Sequence, residues 1–190
     1  MTKTCILISH SGYGHTQKLA EAVLAGVKSV SNLTAKQVTI DQEGNIPEGA
    51  WAELAAADGI IFGCPTYMGG PSWQFKKFAD ASSKPWMADL WKDKVAAGFT
   101  NSASMNGDKF STISYLNTLA MQHGMLWVGT GLKPANLLAS QRNDINYLAG
   151  FSGLLGQSPA DGSPDQGPLP GDLETGKLFG KRVAETLLRL

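Results

Sequence analysis

Between residues 9 and 17 the chain reads Ser9-His10-Ser11-Gly12-Tyr13-Gly14-His15-Thr16-Gln17, with three aliphatic hydroxyls and two glycines but no lysine or arginine. Residues of this kind just ahead of a helix can bind an anion without a cationic side chain. The first N–H groups of a helix have no intrahelical acceptor and carry a partial positive charge. Ser9, Ser11 and Thr16 add hydroxyl donors, and Gly12 and Gly14 let the backbone curl around a phosphate. A P-loop would need G-x-x-x-x-G-K-[ST], which the chain lacks. A dinucleotide fingerprint would need G-x-G-x-x-G, and Gln17 stands where its third glycine belongs, although Asp41 is placed as that fingerprint's acid would be. Taken alone, the loop is also compatible with a helix start that binds nothing.

A second constellation, Gly63-Cys64-Pro65-Thr66-Tyr67-Met68-Gly69-Gly70-Pro71, follows an apolar run. A turn rich in glycine and proline with one aromatic can lay backbone amides along a flat heterocycle; it can equally be only a turn. Other chemistries find less support. Cys5 and Cys64 lack CxxC or zinc spacing and read as reduced core thiols, and the three histidines have no ligand spacing. Gly150-Phe151-Ser152-Gly153-Leu154 lacks the last glycine of a hydrolase elbow.

The elements that must hold these loops show in the periodicity. Apolar runs predict strands at 4–9, 35–40, 59–63, 95–100 and 125–128. Helical spacing predicts helices over 16–29, 50–57, from Pro71 to about Ser82, and over 110–123 with Phe110, Ile113, Leu116, Leu119, Ala120 and His123 inward. A last helix runs from an Asp172 cap to the C-terminus. From Gly129 to Gly171 the chain is rich in glycine and proline and reads as a long surface excursion that could wall a pocket. Strands alternating with helices give a doubly wound parallel sheet, and five of each fit the flavodoxin-like α/β order 2-1-3-4-5 in a single domain spanning 1–190. In such a sheet ligands sit beyond the carboxyl ends of the strands, where both loops fall.

With 190 residues, 43% of them hydrophobic and 17% charged, the composition is that of an ordinary globular core. Sixteen basic and sixteen acidic residues cancel, which argues against a nucleic-acid or anionic-membrane partner. No apolar run approaches transmembrane length and no signal peptide is recognised, so the expected location is cytoplasmic.

In order along the chain stand Ser11-x-Tyr13-Gly14-His15, Phe62-Gly63-x-Pro65-Thr66, Trp86 and Gln122-His123-Gly124-Met125. With these motifs the chain resembles the WrbA-type flavoproteins, FMN-dependent NAD(P)H:quinone oxidoreductases of flavodoxin-like fold. The resemblance implies that Ser9, Ser11, Gly12, Tyr13, Gly14, His15 and Thr16 surround the FMN phosphate. It implies that Pro65, Thr66, Tyr67, Met68 and Gly69, with Thr100, Asn101 and Ser102, hold the ring and ribityl chain. Trp86 and His123 would border the space over the ring where nicotinamide and quinone alternate, in part across subunits. Tyr67 and Met68 replace an arginine and a phenylalanine usual in the family, which removes a contact to an anionic cofactor. Asn101-Ser102-Ala103-Ser104-Met105-Asn106-Gly107 replaces its Gly/Thr-rich loop.

The expected function is therefore an FMN-dependent oxidoreductase passing two electrons from NAD(P)H to a quinone or similar small molecule. The alternatives are a flavodoxin-type electron carrier and an FMN-binding interaction protein without turnover. Carriers are usually strongly acidic, and this chain has no net charge. Trp73, Trp86 and Trp91 suggest an aromatic surface between subunits of a homodimer or homotetramer.

Overall fold

The computed structural model describes residues 2–190. In chain order the elements are β1 (Lys3–His10), α1 (His15–Lys28), β2 (Leu33–Ile40), α2 (Ala50–Ala56), β3 (Gly59–Tyr67) and β4 (Gly70–Pro71). They continue with α3 (Trp73–Ala81), α4 (Ser83–Met87), β5 (Val95–Ser102), α5 (Lys109–Gln122), β6 (Leu126–Trp127), β7 (Leu154–Gln157) and α6 (Pro170–Arg189). The sheet runs β2-β1-β3-β5-β6, all parallel, with β4 forming a short antiparallel hairpin on β3. This is the flavodoxin-like order expected from the sequence, with one difference at the edge. The fifth position is shared: β6 pairs with Val95 and Ala96 at one end of β5, and β7 pairs with Phe99 through Ser102 at the other. The excursion thus leaves the sheet after β6 and returns to it, a return that the four residues Leu154-Leu155-Gly156-Gln157 were too short to signal.

Each central strand is buried on both faces, and alternate residues serve two separate cores. Ile6, Ile8, Ile60, Phe62 and Cys64 pack with Leu54 of α2, Phe75 and Phe78 of α3, and Ile113, Leu116 and Ala120 of α5. Cys5, Leu7, Ile61, Ala97 and Phe99 pack with Leu19, Val23 and Val27 of α1 and with Phe179, Val183 and Leu187 of α6. On that second face α1 and α6 touch backbone to backbone. A Cβ on Gly26 would overlap the Lys177 carbonyl, and one on Gly180 would overlap that of Val23. Burial pushes the Cys5 thiol up to about 12 and raises the Cys64 thiol as well, so both stay protonated and inert.

Several local expectations need correction. Strand β3 runs on through Pro65-Thr66-Tyr67, because Cys64 and Pro65 still pair with Thr100 and Asn101 of β5. The turn is only Met68-Gly69, with φ of +47° and +75°, the sense a tight two-residue hairpin demands. Pro71 belongs to β4 rather than to a first helical turn, and α3 starts after Ser72. Trp86 lies on the short helix α4, not in a loop. Asp172 sits inside the first turn of α6 and does not cap it. On α5 the inward face is as expected at Ile113, Leu116, Leu119, Ala120 and His123 but not at its start, where Phe110 is 67% exposed and Lys109 is 1% exposed. Trp91 is wholly buried against Trp51, Phe62 and Phe78, so it belongs to the core and not to a subunit surface.

Candidate cofactor site

Beyond the carboxyl ends of β1, β3 and β5 opens a cavity of about 710 Å³, within the range of small-molecule and cofactor sites. Three segments line it: Tyr13, His15 and Thr16 after β1; Pro65, Thr66, Tyr67 and Met68 at the end of β3; and Asn101, Ser102 and Ala103 at the end of β5. A fourth wall comes from Ser158, Pro159, Ala160 and Gly162, the segment leaving β7. Ala103 and these four were not foreseen individually. Only the general reading of a long excursion as a wall anticipated them.

The first segment is built as an anion cradle. The Ser11 hydroxyl oxygen accepts from the N–H groups of Gly14 at 3.1 Å and Gln17 at 3.2 Å. That fixes the loop and leaves the Ser11 O–H proton free to donate. Gly14 turns the chain into α1 with φ of +90°, and a Cβ there would press on Pro164. The N–H groups of Tyr13, His15 and Thr16 find no acceptor among the described residues, as the first amides of a helix require of a ligand or water. Ser9 is buried beneath, its hydroxyl without a partner among the described residues. From below, the Gln42 amide donates to the Ser11 carbonyl at 3.0 Å, and His10 lies between Ser72 at 2.8 Å and Gln42 at 3.5 Å. Burial lowers the His10 pKa, so no positive charge sits under the cradle.

The strap formed by residues 158–167 closes over this cradle. The His15 Nδ1–H donates to the Gly167 carbonyl at 2.8 Å, and Lys18 pairs with Asp165 at 3.1 Å. On the β3 side Tyr13 and Tyr67 meet edge to face, with centroids 6.2 Å apart. Gly12 leaves room there for the Tyr67 phenol, which a Cβ at that position would push aside. Burial, with Tyr13 nearby, raises the Tyr67 pKa and keeps its phenol a donor. Met68 at the hairpin tip is fully exposed, and Gly69 lies beside it without lining the cavity. Below the floor the Thr66, Thr100 and Thr112 hydroxyls join at 2.8 Å, and Thr100 donates to the Cys64 carbonyl. Thr100 and Ser9 therefore support the site from behind and do not line it.

Trp86 and His123 do not line it either. The Trp86 indole N–H donates to the Gln122 carbonyl, and the ring is 47% exposed. His123 is buried, 4.2 Å from the Trp91 ring. The Ser82 hydroxyl gives its proton to the Ala79 carbonyl at 2.7 Å, so it accepts from His123 Nε2–H at 2.9 Å. The other nitrogen, Nδ1, is then a buried bare acceptor, and protonating it would create a donor with no acceptor. Burial accordingly holds the His123 pKa down to about 4. The expected contact between His123 and a ligand over the ring is not made within this chain, because the imidazole points into the core.

A neutral, amide-rich cradle at the start of α1 and a polar and aromatic slot beyond the ends of β3 and β5 form a flavodoxin-type site whose residues fit FMN. The phosphate suits the start of α1, and the polar and aromatic slot suits the ring. The chain belongs to the NADPH-dependent FMN reductase family, whose profile matches residues 6–134. It is 52% identical over 179 residues to the flavodoxin FldP of Pseudomonas aeruginosa, covering 94% of each chain. It is 30% identical over 203 residues to an NAD(P)H dehydrogenase (quinone) of Geobacter sulfurreducens, covering 97% of this chain and 98% of that one. A flavodoxin, WrbA-like protein from Agrobacterium tumefaciens has a solved structure with TM-score 0.79 and 48% identity, covering 98% of both chains. The WrbA-type resemblance read from the motifs is thereby supported. The family profile ends before the segment that supplies Ser158 through Gly162.

Proposed function

We propose that the chain holds FMN in this cavity and passes two electrons from NAD(P)H to a quinone or similar small acceptor. The observation that carries the reading is the joining of the α1 cradle to an open slot within one cavity. FMN, when bound, supplies the hydride and electron transfer; the protein supplies placement and electrostatics. Ser11, Thr16 and the free amides of Tyr13, His15 and Thr16 bind the phosphate as hydrogen-bond donors. Tyr67 and Asn101 through Ala103 orient the ring from its two sides, and the 158–167 strap excludes water from the phosphate end. Trp86, exposed on α4, would meet a neighbouring subunit of a homo-oligomer at the mouth of its site.

A specific observation favours a second reading, a one-electron carrier: the Pseudomonas relative at 52% identity is named a flavodoxin. The absence of net charge speaks against it, since carriers steer by strong charge. Steady-state oxidation of NADH and NADPH by the FMN-loaded protein with a benzoquinone separates the two. Turnover with the quinone supports the enzyme. Reduction only through a separate reductase protein, with no turnover on the nicotinamides, supports the carrier.

A further inference from the structure

Behind the slot lies a set of buried charged groups that the proposed chemistry does not use. Lys109, the first residue of α5, sends its ammonium back under the preceding loop. There it donates to the carbonyls of Ser104 and, at 3.0 Å, Met105. The Gln157 side chain, at the end of β7, donates to the carbonyl of Ala103 at 2.7 Å. Three successive carbonyls of the loop that follows β5 are thus held from behind by two donors. In a trans peptide the N–H points opposite to the C=O, so the same pull turns the Ser104 amide away from Gln157 and the amides of Met105 and Asn106 away from Lys109.

Gln157 is itself held. Its backbone N–H donates to Asp172 Oδ2 at 3.0 Å, and its side-chain oxygen lies 3.4 Å from Arg142. Arg142 and Asp172 form a two-pronged pair at 2.6 and 2.7 Å, with Asp172 only 3% exposed. Arg142 comes from the excursion between β6 and β7, so a segment remote from the cavity reaches it through Asp172 and Gln157. Such a paired arrangement is what allows charges to be buried. Its cost shows at Lys109: burial, with Arg142 nearby and partly offset by Asp172, lowers its pKa to about 8.

We propose that Lys109 and Gln157 are positioning residues for the ring side of the cavity, fixing the 103–106 loop while Arg142 and Asp172 fix Gln157. The inference rests on the reading that this cavity holds FMN. It assigns the excursion a purpose, namely to brace the wall that Asn101, Ser102 and Ala103 present to the ring. The two donors act at the ring and not at the phosphate, so riboflavin and FMN should feel their loss equally.

The test compares wild type with Lys109→Met and Gln157→Ala, titrating each with FMN and with riboflavin and following amide hydrogen exchange without flavin. Both variants should weaken the two flavins by the same factor, about tenfold, the scale of one charge-assisted hydrogen bond. Exchange should speed up at 103–106 and stay unchanged at 12–17. In wild type, riboflavin affinity should fall as pH rises through about 8, where Lys109 loses its proton while facing Asp172 and Arg142, and Lys109→Met should abolish that dependence. Unchanged affinities and unchanged exchange at 103–106, with wild type binding flavin normally, would overturn the inference alone. A loss confined to FMN would overturn it too, by placing the effect at the phosphate. A wild-type protein that binds neither flavin would overturn the cavity reading and this inference with it.

Discussion

The two ends of the cavity are built on different principles. The cradle is one continuous stretch, residues 9–17, shaped by the short-range bonds from Gly14 and Gln17 to Ser11 and braced from outside by uncharged groups such as Gln42 and the Gly167 carbonyl, and it contains no lysine, arginine or carboxylate. The ring wall is assembled from β5, α5, β7, α6 and the excursion, and it depends on Lys109, Arg142 and Asp172. A small anion can be recognised locally because a helix start already supplies its donors. A wall for a flat ring has no such ready-made element. Its irregular backbone must be pinned by groups from distant segments, and the strongest pins are charged.

That difference makes the wall the more fragile end. Asp172→Ala leaves Arg142 unpaired and the Gln157 amide without an acceptor. Loss of one partner of a buried pair is expected to destabilise the fold by about 3–5 kcal/mol, measured as a shift in urea unfolding at constant m-value. A wall that tolerated this change at under about 1 kcal/mol would remove the contrast.

His123, buried outside both ends, offers the next effect. Its folded pKa of about 4 lies below the ordinary value of 6.5, so the unfolded chain takes up the proton first. The stability it contributes is present above pH 6.5 and is lost as pH falls toward 4, by about 3 kcal/mol. His123→Gln should lose less stability than wild type between pH 7 and pH 4.5 in parallel urea titrations. Equal losses would mean that the imidazole is solvated and free to reach the mouth of a site.

Smaller effects belong to the cradle. Thr16→Val keeps the shape but removes a hydroxyl donor, and should weaken FMN about ten- to a hundredfold, or about 1.5–3 kcal/mol, in a fluorescence titration. Riboflavin should be little affected. Ser11→Ala should cost about 1 kcal/mol of stability as well, since two helix-start amides lose their acceptor. If Ser11→Ala proved as damaging as Asp172→Ala, the cradle would not be the more robust end of the cavity.

The same contrast explains what the sequence disclosed. The cradle was legible because glycine, hydroxyl and helix spacing lie within nine consecutive residues. The central strands were legible because each is an uninterrupted apolar run such as Gly59-Ile60-Ile61-Phe62-Gly63, and their alternation with helices fits the order found. The wall was not. Ser158 through Gly162 lie in a stretch without periodicity, and β7 is four residues long. Phe110 reads as core but is exposed, and the buried Lys109 beside it gives no signal, because hydropathy does not foresee a lysine that folds back onto its own loop. Periodicity puts His123 on the inward side at the end of α5, where it lies; the place over the ring came only from the resemblance, and Ser82 and Trp91, far away in sequence, hold the imidazole in the core instead.

The central claim is that this cavity takes FMN with its phosphate on the start of α1. Isothermal titration of wild type and Thr16→Val with FMN and riboflavin tests it directly. The account predicts that wild type prefers FMN by at least about tenfold and that Thr16→Val narrows the preference. Equal binding of the two flavins to wild type, or a preference untouched by Thr16→Val, would contradict it.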